Sequence, residues 1–494
     1  MVDGWRWAVL AGYYSTLGLL ALYGAHRLYL LALYARLRRC APVPVARYSD
    51  DLPAVTVQLP MFNERYVAER VIRAACALDW PRDRLEIQVL DDSTDDTAEI
   101  AREAVENLRA AGHDIHLLHR DHREGFKAGA LAEGLARARG ELIAIFDADF
   151  VPQRTFLREL VDHFRDPAVG MVQARWGHLN ADHSVLTRAQ AALLDGHFVI
   201  EHLARNRAGR FFNFNGTAGV WRRSCIDDAG GWHHDTITED LDLSYRAQLR
   251  GWRFVFVVDH VAPAELPIEM RAFHGQQHRW AKGSIETARK LLPGVLRAPL
   301  PLAVKFESAV HLTANVAYLL MLALAALVGP AVWVRAESPA RAAVAWIDLP
   351  LFGVSTASIL AFYVVASREA GHTRRESWAR LPAVLAVGIG LALNNARAVL
   401  EGLLGRRSGF LRTPKYGLAP GGPVLVRGPY RSGTMRRAWV EALTAGYFAT
   451  LLVGAIAAGL WGAVPFLGLF AAGFGYTAAA ALTTPGTRSR TGGP

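Results

Sequence analysis

The feature that most constrains this chain is the uneven placement of its charge. Charged residues crowd the stretch 49–290, while long uncharged apolar runs lie before and after it. About 20 consecutive apolar residues suffice for a helix to cross a bilayer. At 494 residues the chain also exceeds what one hydrophobic core needs. A soluble domain set between membrane-crossing helices meets both conditions.

Residues 7–25 carry no charge, and Arg36, Arg38, Arg39 and Arg47 follow them. A cleavable leader has its basic residues in front, so this order favours a retained helix with the next domain on the cytosolic side of the inner (plasma) membrane. Further apolar runs cover 311–334, 347–366, 381–404, 440–461 and 463–482. The run 381–404 lies between two basic stretches, Arg368 to Arg380 and Arg406 to Arg437, and contains Asn394, Asn395, Arg397 and Glu401. If it crossed, one basic stretch would face outward, so it is expected to be an interfacial or re-entrant helix. Six ordinary spans are the alternative. These flanking arginines account for much of the net charge of +10 without a nucleic-acid partner. Cys40, Cys76 and Cys225 are too scattered for a disulfide framework or a zinc site. The expected division is 1–48 (first helix and basic segment), 49–300 (cytosolic domain) and 301–494 (membrane helices, with the interfacial helix at 381–404 and a loop at 405–437).

Within the soluble stretch, short β-branched runs at 54–59, 86–90, 115–118 and 142–146 alternate with helical patterns at 66–78, 97–111 and 127–139. That alternation predicts a mostly parallel sheet covered on both faces, with ligands bound beyond the carboxyl ends of the strands. Acids occupy those ends: Asp91 and Asp92 after one run, Asp147 and Asp149 after another. Neither a GxGxxG nor a GxxxxGK[ST] motif is present. His113, His116, His119 and His122 recur every third residue and so alternate faces of a strand, while His197, Glu201 and His202 have the wrong offsets for a zinc-peptidase helix. Both groups are expected to be surface or packing histidines.

Three other patterns carry chemistry. Asp147-Ala148-Asp149 offers two hard carboxylates at a strand end, suited to Mg²⁺ or Mn²⁺ shared with phosphates. Thr238-Glu239-Asp240 opens a helix; Thr238 as N-cap and Asp240 as a base are compatible roles that spacing does not separate. Gln276, Arg279 and Trp280 fall on one helix face, able to grip phosphate and stack on a sugar ring, or to sit at headgroup level.

In order and at these intervals, LPMFNE (59–64), QVLDDSTDDT (88–97), GFKAGAL (125–131), AIFDADF (144–150), VQARW (172–176), FNGTAGVWR (214–222), AGGW (229–232), TEDLDL (238–243) and QQHRW (276–280) resemble the processive family-2 glycosyltransferases of the cellulose synthase superfamily. The likeness is greatest to the cellulose-synthase-like groups A and C, which make mannan or glucomannan and the xyloglucan backbone. It implies an α/β GT-A (Rossmann-like) catalytic domain inserted between transmembrane α-helices. It also implies an inverting polymerase that uses a nucleotide sugar and Mg²⁺ or Mn²⁺ to extend a growing polysaccharide and extrude it, with export or accessory subunits as further partners. By the same resemblance Asp92 and Lys127 would meet the donor nucleotide and its phosphates. Asp147 and Asp149 would hold donor and metal, and Asp240, with Glu239 beside it, would be catalytic. Gln276 and Arg279 would frame the pyrophosphate; Trp280 and Phe214, Asn215, Gly216 and Thr217 would meet the acceptor. Phe410, Thr413 and Lys415 resemble a gating loop, although Arg412 stands where that pattern has valine. UDP-glucose is slightly favoured over GDP-mannose as the expected donor. A transferase adding one or a few sugars to a lipid, and a non-catalytic scaffold of an export system, are the competing expectations.

Overall fold

The computed structural model describes residues 2–49, 51–336, 341–406, 412–418 and 435–483. A seven-stranded sheet organises the middle of the chain, in the order β3-β2-β1-β4-β6-β5-β7. The strands are β1 (Val55–Met61), β2 (Leu85–Asp91), β3 (Ile115–His119), β4 (Leu142–Ile145), β5 (Val169–His178), β6 (Gly219–Arg222) and β7 (Arg253–Ala264). The four runs expected from sequence are β1 to β4, and they pair in parallel. Antiparallel β6 then joins β4 to β5, and β5 runs parallel to β7. Parallel strands need covering on both faces. β4 shows it: Leu142 and Ala144 enter one core, Ile143 and Ile145 the other.

One face of β1 and β2 breaks the apolar rule. Thr56 and Gln58 are fully buried and paired across the strands, the Thr56 hydroxyl donating to Glu86 Oε2 (2.6 Å) and Gln58 Nε2 to Gln88 Oε1 (3.0 Å). Buried polar groups cost little when bonded in this way. The helix Phe126–Arg137 crosses directly above them. A Cβ at Gly134 would fall 2.6 Å from Gln58 Nε2, so the close approach requires glycine there.

Five helices are long and apolar enough to cross a membrane: Gly4–Leu37, Val316–Val334, Pro350–Glu369, Arg436–Ala457 and Val464–Leu482. They share an apolar core that includes Leu17, Leu324, Val328, Phe448 and Phe474. Leu443, Val453 and Trp461 instead point outward, as lipid-facing side chains do. The ambiguous stretch forms two helices, Arg374–Gly390 and Ala392–Leu403, bent by 42°. The second packs along helix Met270–Arg297, where Gly402 lies against Ile285. The pair is thus a broken span or a re-entrant loop, and its polar half is held by the soluble domain.

Candidate active site

A cleft opens beyond the carboxyl ends of the parallel strands, lined by residues from nearly every motif of the soluble domain and by Arg412, Thr413 and Lys415. Its floor is Asp147-Ala148-Asp149, directly after β4. The Asp147 amide donates to Thr217 Oγ1 (2.9 Å), which fixes the turn. Lys127 Nζ donates to Asp147 Oδ1 (2.5 Å) and to Gly216 O (2.9 Å). Lys415 Nζ donates to Asp149 Oδ2 (2.5 Å) and to Glu265 O (2.6 Å). Each aspartate therefore presents an oxygen to a cation in the cleft, and two hard carboxylates of that kind fit Mg²⁺ or Mn²⁺. Burial raises the Asp147 pKa, against the pull of Lys127, and neighbouring Asp149 adds to the rise. Burial also disfavours the Lys127 charge, but Asp147, Glu239 and Asp240 outweigh it and hold the ammonium above its usual range.

Asp240 stands at the start of helix Glu239–Leu249. Its Oδ1 accepts the Leu241 amide (2.8 Å), while Oδ2 lies 3.1 Å from where a Cβ of Gly216 would be, in a backbone turn with φ of +79°. A side chain at 216 would thus crowd the carboxylate as well as strain the turn. Burial, reinforced by the adjacent Glu239, pushes the Asp240 pKa up to about 7. A carboxyl group poised there suits general-base work near neutral pH. Thr238 does not make the expected side-chain cap; its hydroxyl lies 3.3 Å from that of Thr287.

Gln276, Arg279 and Trp280 project into the same cleft from helix Met270–Arg297, with Trp280 6.4 Å from Trp176 between ring centres. Burial lowers the Arg279 pKa to about 10, with Asp147 and Glu239 opposing the fall. Arg279 Nη2 donates to Thr413 Oγ1 (2.8 Å), which ties this helix to the segment 412–418. That segment is further held by Arg412 on Glu64 (3.0 Å) and by the amides of Tyr416 and Leu418 on the Glu265 carboxylate (2.7 and 2.9 Å). Glu64 is pushed up to about 8 by burial, despite Arg412. Phe410 lies outside the described residues.

Some expected contacts fall elsewhere. The Phe214 ring is fully buried against Trp221 (5.6 Å between centres) and faces the core, not the cleft. Thr217 is buried beneath Asp147, whose amide it accepts, so Asn215 and Gly216 are the members of that motif lining the cleft. Asp92 reaches the cleft wall, with both oxygens held by Arg120 (2.7 and 2.5 Å). Of the histidines set aside from sequence, His119, His197 and His202 make packing contacts. His119 Nδ1 pairs with Asp91 (2.7 Å), and buried His202 lies 2.7 Å from Asn215 Oδ1, with His197 3.0 Å from the same amide group. His197 also pairs with Glu201 on its own helix (3.2 Å), whereas the contacts of His197 and His202 with Asn215, and of His119 with Asp91, are made only by the fold. Arg123, stacked 3.4 Å from the centre of Phe62, and Trp176 also line the cleft. Trp176 lies within a motif noted from sequence; Arg123 carried no signal of its own.

Residues 53–283 match the family described as "Glycosyltransferase like family 2". The chain is 48% identical over 255 residues to glucomannan 4-beta-mannosyltransferase 2 of Arabidopsis thaliana, covering 50% of this chain and 48% of that protein. It is 44% identical over 271 residues to glucomannan 4-beta-mannosyltransferase 1 of Oryza sativa subsp. japonica, covering 52% and 51%. In these matches the chain spans about half the length of its relatives. A mannosyltransferase from Pyrobaculum calidifontis, solved in complex with GDP-Man and Mn²⁺, superposes with a TM-score of 0.51 at 24% identity, over 79% of this chain and all of that one. Fold, cleft and sequence likeness agree: residues 53–283 match the family-2 glycosyltransferases and have the GT-A fold, set among helices apolar enough to cross a membrane.

Proposed function

We propose that the protein is a processive, inverting β-glycosyltransferase that polymerises mannose from GDP-mannose into a β-1,4-linked mannan or glucomannan. On this reading it works from the cytosolic face of the plasma membrane and passes the chain outward through its own helices. One observation carries the reading: Asp147 and Asp149, Asp240, and Gln276, Arg279 and Trp280, supplied by segments far apart in sequence, face a single cleft. The names of the relatives tip the donor from UDP-glucose, slightly favoured on sequence alone, to GDP-mannose.

The chemistry follows from the residues present. Asp240 takes the proton from the attacking acceptor hydroxyl. Arg279 and Gln276 orient the diphosphate, and Trp280 offers a flat face to the terminal sugar of the acceptor. Lys127 and Lys415 supply further positive charge at the cleft floor. A divalent cation held by Asp147 and Asp149 would neutralise charge on the departing diphosphate. Basic flanks of the first apolar helix support the cytosolic placement.

The test is product analysis. Purified protein in lipid, given GDP-mannose and Mn²⁺, should make polymer removed by an endo-β-1,4-mannanase, with UDP-glucose the weaker donor. Free monosaccharide or a lipid bearing one sugar as the sole product would overturn the processive reading. Undiminished transfer by an Asp240→Asn protein would move the base elsewhere.

A further inference from the structure

Helix Met270–Arg297 presents two long faces, and the one lining the cleft continues well past it. Gln276, Arg279 and Trp280 are followed on the same stripe by Gly283, Glu286, Thr287 and Lys290, at the spacing of three and four that stacks side chains along a helix. Each of those later positions meets the segment 233–242 around Asp240. A Cβ at Gly283 would fall 2.4 Å from the Thr238 methyl group. Glu286 Oε2 accepts the Ile237 amide (2.9 Å), and Thr287 meets Thr238. Lys290 Nζ lies 2.7 Å from Asp235 Oδ1, 2.8 Å from Asp242 Oδ1 and 3.2 Å from His233 Nδ1. His233, Asp235 and Asp242 lie close enough together to suggest a metal site, but the Lys290 ammonium already stands within bonding distance of all three. The opposite face of the helix has another partner: His278 pairs with Glu401 (3.1 Å) and Arg289 donates to Gly402 O (2.8 Å).

We infer that Glu286 and Lys290 are positioning residues for Asp240. Through Ile237, Asp235 and Asp242 they set the place of its carboxylate relative to Gln276, Arg279 and Trp280 on the same helix. The inference rests on the proposed transferase reading. A shared support of this kind keeps the base and the donor-gripping groups in register, since a misplacement of about 1 Å can cost on the order of a hundredfold in rate. Neither residue touches the cleft itself. Arg246 Nε also bonds Asp242 (2.7 Å), so the helix end has a second counter-ion besides Lys290.

The experiment compares Glu286→Ala and Lys290→Met with the conservative Glu286→Gln and Lys290→Arg, and with Arg289→Ala on the far face as control, all in the full chain in lipid. Transfer by the unaltered protein and its loss in Asp240→Asn decide the parent reading first. Expected for Glu286→Ala and Lys290→Met is a kcat about tenfold or more lower, with donor KM and the affinity for GDP with Mn²⁺ unchanged, and recovery in the conservative pair. Amide hydrogen exchange supplies a readout that needs no turnover: exchange over 233–242 should quicken while 270–285 keeps its protection. Wild-type kcat, donor affinity falling in step with kcat, the same kcat loss in Arg289→Ala, or unchanged exchange over 233–242 would each overturn the inference.

Discussion

Asp240 and Asp242 stand two residues apart on one helix and enter opposite surroundings. Asp240 faces the cleft, and among the described residues no arginine or lysine forms an ion pair with it; burial and Glu239 raise its pKa to about 7. Asp242 points into the interior, fully buried, and is held by Arg246 (2.7 Å) and Lys290 (2.8 Å). The difference separates two uses of a buried carboxylate. Matched by two cations it fixes a loop; left unmatched beside a like charge it stays able to exchange a proton near neutrality. Elsewhere in the cleft, Glu64, Asp147 and Glu239 are also shifted upward mainly by burial, Glu64 and Asp147 despite their ion pairs with Arg412 and Lys127.

The contrast can be broken most decisively by exchanging each aspartate for asparagine. Asp240→Asn should lower kcat about a thousandfold, the scale of a lost general base, with the protein folded and donor binding intact. Asp242→Asn should instead cost about 3 kcal/mol of stability, because it leaves a mostly buried arginine without its partner. Thermal unfolding in detergent measures the second, and a large kcat loss without loss of stability in Asp242→Asn would erase the distinction. A smaller effect sharpens it. A base with a pKa of about 7 acts only when ionised, so kcat should rise with pH through about 7 and level off above it. Removing the neighbouring charge in Glu239→Gln should lower that pKa and move the rise to lower pH; an unmoved profile would deny the coupling. Least in size, Lys415→Ala should tighten Mn²⁺ binding several-fold in the absence of donor, since its ammonium bonds Asp149 (2.5 Å) where the metal would compete. Titration with Mn²⁺ alone reads this out, and weaker binding would mean that Lys415 shapes the site and does not compete for it.

Much of the catalytic domain was readable along the chain because its signals are local. Strands β1 to β4 are short β-branched runs, and the acids at their ends stand where an open parallel sheet binds ligands. The antiparallel insertion of β6 was not anticipated, since Gly219–Arg222 holds a single β-branched residue, Val220, and so lacks the run that marks the other strands. Nor was the inward turn of Phe214: a motif gives the place of a residue in the chain, while the side on which its ring packs depends on Trp221. The histidines show the same limit, because the contact of His197 and His202 with Asn215 is made only by folding.

Chain composition alone settled that a polar domain sits among apolar helices, and local spacing settled which acids end which strands, because both follow from hydrophobicity and from periods of two and 3.6 residues. Tertiary structure alone decided which of two aspartates on one helix turn is matched by cations and which is left in the cleft. Charge balance at a buried site is a sum over neighbours brought together by folding, and Arg246, Lys290, Glu239 and Lys127 act on that turn from three separate elements.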